Sequence, residues 1–390
     1  MGDHVVRILV VKLVSLGDNV VCTAVVRAIR EKYPRPEHHI TLLTSAPYSQ
    51  VWEGSPHIDR LKMIPALSGI WNQGLAIYAY DAATCAELQR EHYDKLLELN
   101  QLGWFGEYRR NGDCFVQSYA AIADVYPLAD LHYEIPCDPA AEHTRLADAE
   151  PDLAGLLEQN IAPICLHIGG GWGLKVLPEH AWIPIVQALF QETHAPIVCV
   201  GGPADHLSDH LQRDLETAIW SHAVPELDGE YASENKLYDL SGQIGIKTLY
   251  YLLTRSRLFI GADSGPMHLA SAANCPTVAY YSVTSQFVGT PISDRFVTVQ
   301  SEASCDAPCG LVQCRTHELC VKLIDPEHLI KAAHHVLSGD EPAQAHWKGD
   351  RPTVHYFDSW DHVSLAQERP PLAEWLKQRP MLDPTWHLHT

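Results

Sequence analysis

The sequence predicts an α/β protein built from two doubly wound units in tandem. Two series of short apolar strands, each followed by segments of helical spacing, run along the chain, and a polar, proline-interrupted stretch over residues 137–160 separates them. With 390 residues, 46% of them apolar, the chain is long enough for two cores. We expect a first domain over residues 1–155, a second over residues 156–340, and an extended tail over residues 341–390.

The first series begins with the continuous apolar strand 7–13, which is typical of a parallel sheet covered on both faces. Ser15 to Asp18 form a turn, and a helix over residues 20–32 follows it, ended by Pro34. The other elements predicted in this half are strands over 40–43, 58–64 and 93–99, and helices over 45–52 and 113–125.

The second series repeats this alternation after the polar stretch. Its predicted elements are strands over 162–167, 197–200, 258–260 and 277–281, and helices over 182–192, 206–220, 248–255, 267–273 and 326–337. Because ligands of open α/β sheets bind at the carboxyl ends of the strands, the strand-to-helix turns should carry the chemistry.

The tail holds four of the ten tryptophans, which is too aromatic for a free linker, so we expect it to pack on the body.

Composition excludes some classes of function. The net charge of −20 argues against a nucleic-acid binder, which needs a basic surface. No apolar run is long enough to span a bilayer, and the first apolar stretch contains Arg7 and Lys12, unlike a secretory signal. We therefore expect a cytoplasmic protein without a transmembrane segment.

The turn Ser15-Leu16-Gly17-Asp18 contains the first candidate for chemistry. Gly17 and Asp18 could simply bend the chain and cap a helix. Alternatively, Asp18 is a general base, since a helix N-terminus favours the ionised carboxylate that accepts a proton.

Two turns of the second half contain candidate anion sites. Gly169 to Gly171 and the nearby Lys175 form either a phosphate-binding loop or a flexible loop with a solvated lysine. In residues 261–268, Ser264 can cap a helix whose amides and dipole attract an anion, and Pro266 suits its first turn. His268 is either a further hydrogen-bond donor or a packed helix residue.

Residues 261–273 resemble the signature of glycosyltransferase family 9, the bacterial heptosyltransferases. Further stretches agree with that family in order, over residues 12–28, 166–178, 200–205 and 305–336, so that the resemblance spans roughly residues 5–337. It implies a GT-B fold, in which two Rossmann-like domains face a central cleft. It also implies transfer of heptose, with inversion, from an ADP-linked donor onto lipopolysaccharide core.

The resemblance also assigns roles to residues. Asp18 matches the carboxylate that deprotonates the acceptor hydroxyl, and Lys175 matches the lysine beside the donor phosphates. Asp205 lies where some members use Glu to hold the adenosine ribose. The remaining residues expected to hold the donor and its phosphates are Gly170, Gly171, Asp263, Ser264, Gly265, His268 and Thr284. These fixed groups can stabilise a diphosphate, so we expect no cofactor in catalysis.

Acceptor binding is expected to use basic residues of the first half, since lipopolysaccharide core is anionic. The candidates are Arg60, Lys62, Arg109 and Arg110. The acidic total charge favours a less acidic acceptor, and some relatives glycosylate autotransporter proteins, so a protein acceptor is the alternative. A lipopolysaccharide acceptor would place the chain at the inner face of the inner membrane.

Four cysteines, Cys305, Cys309, Cys314 and Cys320, fall within 16 residues. Four thiolates this close could hold a structural zinc or iron ion, but the spacing lacks the C-x2-C pairs of common zinc sites. The alternative is a loop of free thiols.

Two other classes of function compete. An oxidoreductase would need G-x-G-x-x-G after the first strand, where Gly17 stands alone. A non-catalytic, metal-bearing scaffold would have no need for Asp18, Lys175, Asp263 and His268 together.

Overall fold

The computed structural model describes residues 5–65, 70–72, 75–77, 87–88, 90–100, 114–171, 173–220, 236–303 and 319–353. The described chain divides into two compact units, the first ending at Leu131 and the second beginning at His132. Each unit contains its own parallel sheet, which confirms the predicted α/β class.

The first unit is built on a four-stranded sheet in the order β3-β2-β1-β6, whose neighbouring strands are all parallel. Because the order changes direction at β1, the loops after β1 and β6 flank a topological switch point. The strands of this unit are β1 (Val6–Val11), β2 (His38–Ser45), β3 (Arg60–Ile64), the hairpin β4 (Ile70–Asn72) and β5 (Leu75–Ile77), and β6 (Lys95–Glu98).

Two helices of the first unit pack against each other beside this sheet, α1 (Leu16–Lys32) and α2 (Phe115–Ile122). A 3₁₀ helix, Ala46–Val51, follows β2 where the sequence predicted a longer helix. Helix α1 begins at Leu16 rather than at residue 20. Asp18 therefore lies inside the first helical turn, where the macrodipole favours a negative charge.

The second unit is built on an eight-stranded sheet in the order β14-β13-β12-β11-β10-β7-β8-β9. All neighbours are parallel except β13 and β14, and the switch point lies between β7 and β10. The strands are β7 (Ile164–His167), β8 (Ile197–Cys199), β9 (Leu237–Asp239), β10 (Leu258–Ala262), β11 (Thr277–Tyr281), β12 (Phe296–Gln300), β13 (Gln344–Lys348) and β14 (Arg351–Pro352).

Helices cover this sheet and enclose an apolar core in which Trp182, Phe190 and Ile260 are buried. They are α3 (Pro139–Ala149), α4 (Pro151–Glu158), α5 (Trp182–Thr193), α6 (Asp209–Trp220), α7 (Ile246–Thr254), α8 (Gly265–Ala272), α9 (Leu319–Lys322) and α10 (Pro326–Ser338). Among the described helices, none combines the length and apolar composition that a bilayer crossing needs.

The stretch predicted as an interdomain link is helical instead. Pro139 and Pro151 each occupy the start of a helix, where proline's fixed φ and missing N–H are tolerated, and Asp138 caps α3 by accepting from two backbone amides. Helix α3 packs on α7, with Thr248 donating to the buried Glu142 at 2.8 Å. The division between units therefore falls at residue 131 rather than 155.

The predicted tail also begins later than expected. Residues 344–348 form β13, which pairs in parallel with β12 and continues the second sheet. Strand β14 then returns antiparallel to β13. Residues 354–390 lie outside the described residues.

Candidate active site

The loop between β1 and α1 is held in an uncommon backbone conformation. Ser15 has φ 63° and ψ 125°, a region that L-residues seldom adopt. The buried Asn19 holds this loop, since its Nδ2 donates to the carbonyls of Ser15 at 2.8 Å and Val14 at 3.1 Å, while its Oδ1 accepts from Trp52 Nε1 at 2.8 Å. These hydrogen bonds to the buried Asn19 fix the loop, and the loop in turn sets the position of Asp18 at the start of α1.

Asp18 is connected to two fully buried residues that the sequence analysis did not single out. Tyr119, on α2, donates its hydroxyl proton to Asp18 Oδ1 at 2.6 Å. Lys12, just after β1, donates to the Tyr119 hydroxyl at 3.1 Å and to the Leu99 carbonyl at 3.2 Å. No local signal in the sequence links these residues, because Lys12 and Tyr119 are 107 positions apart.

The second unit brings Lys175 to Asp263. Lys175 Nζ donates to Asp263 Oδ2 at 2.9 Å and to the Asp263 carbonyl at 2.7 Å. The pair is largely buried, with side-chain exposures of 14% and 5%. Burial alone would raise the pKa of Asp263, but Lys175, His268 and the Thr284 hydroxyl outweigh it and hold that pKa well below its usual range. The lysine is thus not a solvated loop residue.

Helix α8 begins beside this pair. Ser264 is its N-cap in an extended conformation, Gly265 is its first residue, and Pro266 lies in its first turn. His268 is buried, with Nε2 at 3.7 Å from Asp263 Oδ1, and its Nδ1 has no hydrogen-bond partner in the described part of the structure. The N-terminus of α8 therefore combines backbone amide donors, the positive end of the helix dipole and an imidazole nitrogen without a partner in the described residues.

Asp205, which the resemblance assigns to the adenosine ribose, is held by groups of the neighbouring loops. Its carboxylate fits against Gly169 and Gly201, where a Cβ would approach its oxygens to 1.8 Å and 2.6 Å. It accepts from the backbone amide of Gly202 at 2.8 Å and lies 3.5 Å from His167 Nε2. The hydrogen bond with His167 is the largest cause of its lowered pKa. Asp205 thus joins the loops after β7 and β8, and its side chain is 19% exposed.

His167, which ends β7, was missed as a functional residue because a histidine at the end of a buried strand gives no local signal. Its Nδ1 lies 3.0 Å from Ser264 Oγ, so the ring connects Asp205 to the start of α8. The Gly170 amide also hydrogen-bonds Asp205, whereas Gly171 has open space around its Cβ position. Gly171 is exposed, so its loop position is accessible to a ligand.

Two of the four basic residues predicted to bind the acceptor, Arg60 and Lys62, are described, and both form ion pairs with glutamates. Lys62, only 8% exposed, pairs with Glu87 at 2.6 Å and Glu91 at 2.7 Å, and Arg60 pairs with Glu91 at 3.1 Å. Burial raises the pKa of Glu91, but the hydrogen bonds from Lys62 and Tyr93 and the two cationic charges bring it to about 2. These pairs balance the positive charge locally, and Arg109 and Arg110 lie outside the described residues.

The cysteine cluster is described only at its last member. Cys320 is buried in α9, whereas Cys305, Cys309 and Cys314 lie outside the described residues. Within the ranges that the structure does describe, no group of three or more His, Cys, Asp or Glu is arranged to hold a metal ion. Metal binding by this cluster therefore stays a prediction.

Sequence comparison finds the same family that the motifs resemble. The sequence model of glycosyltransferase family 9 (heptosyltransferase) matches residues 114–319, just over half of the chain. Lipooligosaccharide heptosyltransferase 2 of Haemophilus influenzae is 24% identical over 221 residues, 52% of this chain and 59% of that protein. The chain thus spans about three fifths of the length of this curated relative.

Solved structures share the fold. The glycosyltransferase family 9 structure from Veillonella parvula has a TM-score of 0.63 at 20% identity, covering 87% of this chain and 99% of that one. The ADP-heptose lipopolysaccharide heptosyltransferase II of Escherichia coli has a TM-score of 0.60 at 16% identity, covering 85% and 99%. These likenesses confirm the predicted GT-B class with two Rossmann-like domains, and the family match over residues 114–319 makes the chain a member of glycosyltransferase family 9.

Proposed function

We propose that this chain is an inverting glycosyltransferase that moves heptose from an ADP-linked donor to a hydroxyl of lipopolysaccharide core or a related surface glycan. The observation that carries the proposal is the placement of a carboxylate after a parallel strand of the first sheet and of a lysine and a helix N-terminus after parallel strands of the second. The first unit presents a carboxylate, Asp18, at its switch point. The second presents Lys175 and the N-terminus of α8.

Asp18 would act as the general base. As the acceptor hydroxyl attacks the anomeric carbon, its proton passes to the Asp18 carboxylate, the new glycosidic bond forms, and the bond from that carbon to the diphosphate breaks. Attack from the face opposite the leaving group inverts the anomeric centre. The position in the first turn of α1 supports this role, because the helix dipole favours the ionised carboxylate.

The leaving diphosphate would be stabilised in the second unit. Lys175, the amides at the start of α8 and the unpartnered Nδ1 of His268 are donors or charges that could meet its oxygens. Lys175 holds Asp263, so we infer that it is shared between Asp263 and the phosphate when the donor binds. The step as proposed uses no metal ion.

A protein hydroxyl is the second candidate acceptor, as in a protein O-heptosyltransferase acting on an autotransporter. The observation that favours it is the pairing of Arg60 and Lys62 with Glu87 and Glu91. These pairs leave little net positive charge at that position for an anionic glycan, and the whole chain carries −20.

The test is a transfer assay read by mass spectrometry. The full chain is incubated with ADP-heptose and either truncated lipopolysaccharide or an autotransporter passenger protein, and the acceptor is examined for the mass of one added heptose. Gain on the first acceptor supports the main proposal, gain on the second supports the alternative, and no gain on either contradicts both.

Asp18→Asn tests the base. It should lower kcat about 100-fold or more, while the affinity for ADP stays unchanged, because the change removes only the proton acceptor. Asp124→Asn, which removes an exposed carboxylate paired with Lys32 in the same unit, is the matched control and should match the parent. Full activity of Asp18→Asn would remove Asp18 from the mechanism.

A thermal-shift comparison separates the classes of function. ADP should raise the melting temperature of a transferase, NAD that of a dehydrogenase, and neither that of a scaffold. Stabilisation by NAD with no effect of ADP would contradict the proposed function.

A further inference from the structure

The hydrogen bonds around Asp18 have a direction that chemistry alone fixes. An ammonium group can only donate, so the Tyr119 hydroxyl must accept from Lys12 Nζ at 3.1 Å. A carboxylate can only accept, so the same hydroxyl must give its proton to Asp18 Oδ1 at 2.6 Å. The chain Lys12–Tyr119–Asp18 is therefore polarised from the cation toward the carboxylate.

We propose that Tyr119 is a positioning residue of the transfer reaction, which fixes the Asp18 carboxylate, and that Lys12 acts on Asp18 through Tyr119. This inference rests on the proposed role of Asp18 as the base. With Oδ1 held by Tyr119, the other oxygen, Oδ2, is the one that receives the acceptor's proton. Holding the carboxylate in one rotamer keeps the reacting atoms within the narrow geometry that catalysis needs.

Burying the Lys12 ammonium is energetically unfavourable if its role is only structural. Lys12 and Tyr119 are fully buried, and the Lys12 ammonium lies 4.8 Å from the centre of the Tyr119 ring. Its described hydrogen bonds go to the Leu99 carbonyl and the Tyr119 hydroxyl, both neutral. A buried ammonium without a direct carboxylate partner is less favourable than an apolar side chain of the same size. Its charge is compensated across Tyr119 by Asp18.

Among the described residues, two other titratable groups lie near Asp18, and neither supplies a competing charge. Cys22 on α1 is buried, and burial raises the pKa of its thiol well above the usual range. Tyr48, in the 3₁₀ helix after β2, has a pKa that burial and the Asp18 charge raise. Both are therefore neutral at neutral pH and add no charge beside Asp18.

The pH dependence of turnover tests the proposal. Tyr119→Phe keeps the ring and removes the donor to the charged carboxylate, so the acidic limb of the kcat profile should move up by about one pH unit. The value of kcat at neutral pH should fall about tenfold, because one charge-assisted hydrogen bond to the base is lost. Affinity for ADP should not change, since Lys175 and α8 are untouched.

Lys12→Met separates the contribution of the cation. It should also move the acidic limb upward, and combining it with Tyr119→Phe should add little, because Lys12 acts through the hydroxyl that Tyr119→Phe has already removed. Additive effects would overturn the relay through Tyr119. If Tyr119→Phe fails to fold, the position of the acidic limb in Lys12→Met decides the proposal.

The first unit provides a matched control. Lys95 also donates to a tyrosine hydroxyl, that of Tyr33, with its ammonium 4.9 Å from the ring centre, and the pair does not contact Asp18. Tyr33→Phe should leave the pH profile as in the parent. An unmoved acidic limb in folded Tyr119→Phe, with Asp18→Asn inactive, would overturn this inference alone. An active Asp18→Asn would overturn the proposed base itself.

Discussion

Replacing Lys175 by methionine should destabilise the second unit and weaken its hold on ADP. The change leaves Asp263, whose side chain is 5% exposed, without the cation that lies 2.9 Å away. Removing one partner of a buried pair typically costs about 3–5 kcal/mol, and the partial exposure of Lys175 places it near 3. For a unit of this size that corresponds to a fall in melting temperature of roughly 6–12 °C.

The assay is thermal unfolding at pH 7 with and without ADP. Asp263 has a lowered pKa in the folded protein, so its contribution to stability is present above the usual carboxyl pKa and is lost as the pH falls through the folded value. Neutral pH therefore measures the whole effect. ADP affinity should fall about tenfold or more, since a charged donor to the diphosphate is lost.

Two further variants separate stability from binding. Lys175→Met combined with Asp263→Asn should recover most of the stability, because no buried charge is left unpaired, but it should not recover ADP affinity. Lys236→Met breaks an ion pair with Asp152 whose side chains are 44% and 52% exposed, so it should cost about 0–1 kcal/mol. A Lys175→Met protein that melts with the parent and binds ADP equally would refute both the buried pair and the anion site.

Two other predictions concern the cysteine cluster and Asp205. If the cysteine cluster holds metal, protein purified without chelator should contain about one zinc or iron per chain, and Cys309→Ser should lose it and melt earlier while still binding ADP. A metal-free protein of full stability would instead identify free thiols. Asp205→Asn should cost about 1 kcal/mol in urea denaturation at pH 7, because the bonds to Gly202 and His167 weaken. Since its pKa is lowered in the folded state, the difference from the parent should shrink as the pH falls below about 5, and a difference independent of pH would contradict the ionised role.

The class of fold could be predicted because its signals are local. A strand buried on both faces needs a continuous apolar run, and the sequences of β1, β7 and β10 are each mostly apolar. The turns after them also carry local marks, namely the Gly17-Asp18 pair, the glycine run before Lys175, and Ser264 ahead of Pro266. Residues close in sequence are close in space within a turn, so a motif suffices to find them.

The prediction of a link over residues 137–160 is wrong, because the prolines of this stretch begin helices. The pattern predicts a link because proline interrupts periodicity, yet both prolines stand at the first helical position, where proline is tolerated. The Asp138 side chain caps α3, whereas the Glu150 side chain makes no cap hydrogen bond to α4. Packing of α3 on α7 then places these helices in the second unit. Residue propensity alone does not distinguish a proline that interrupts a helical pattern from a proline that begins a helix.

The partners of the candidate site residues were decided by the tertiary structure alone. From the sequence alone it follows that a carboxylate comes after the first strand of one sheet and a lysine after the first strand of the other. The sequence did not determine that Lys12 and Tyr119, 107 positions apart, would meet, that Tyr119 would contact Asp18, or that Asp205 would lie against Gly169. Hydrogen bonds act over about 3 Å whatever the sequence separation, so they depend on which strands lie side by side. That order, with β6 beside β1 and β8 beside β7, exists only once each sheet has assembled.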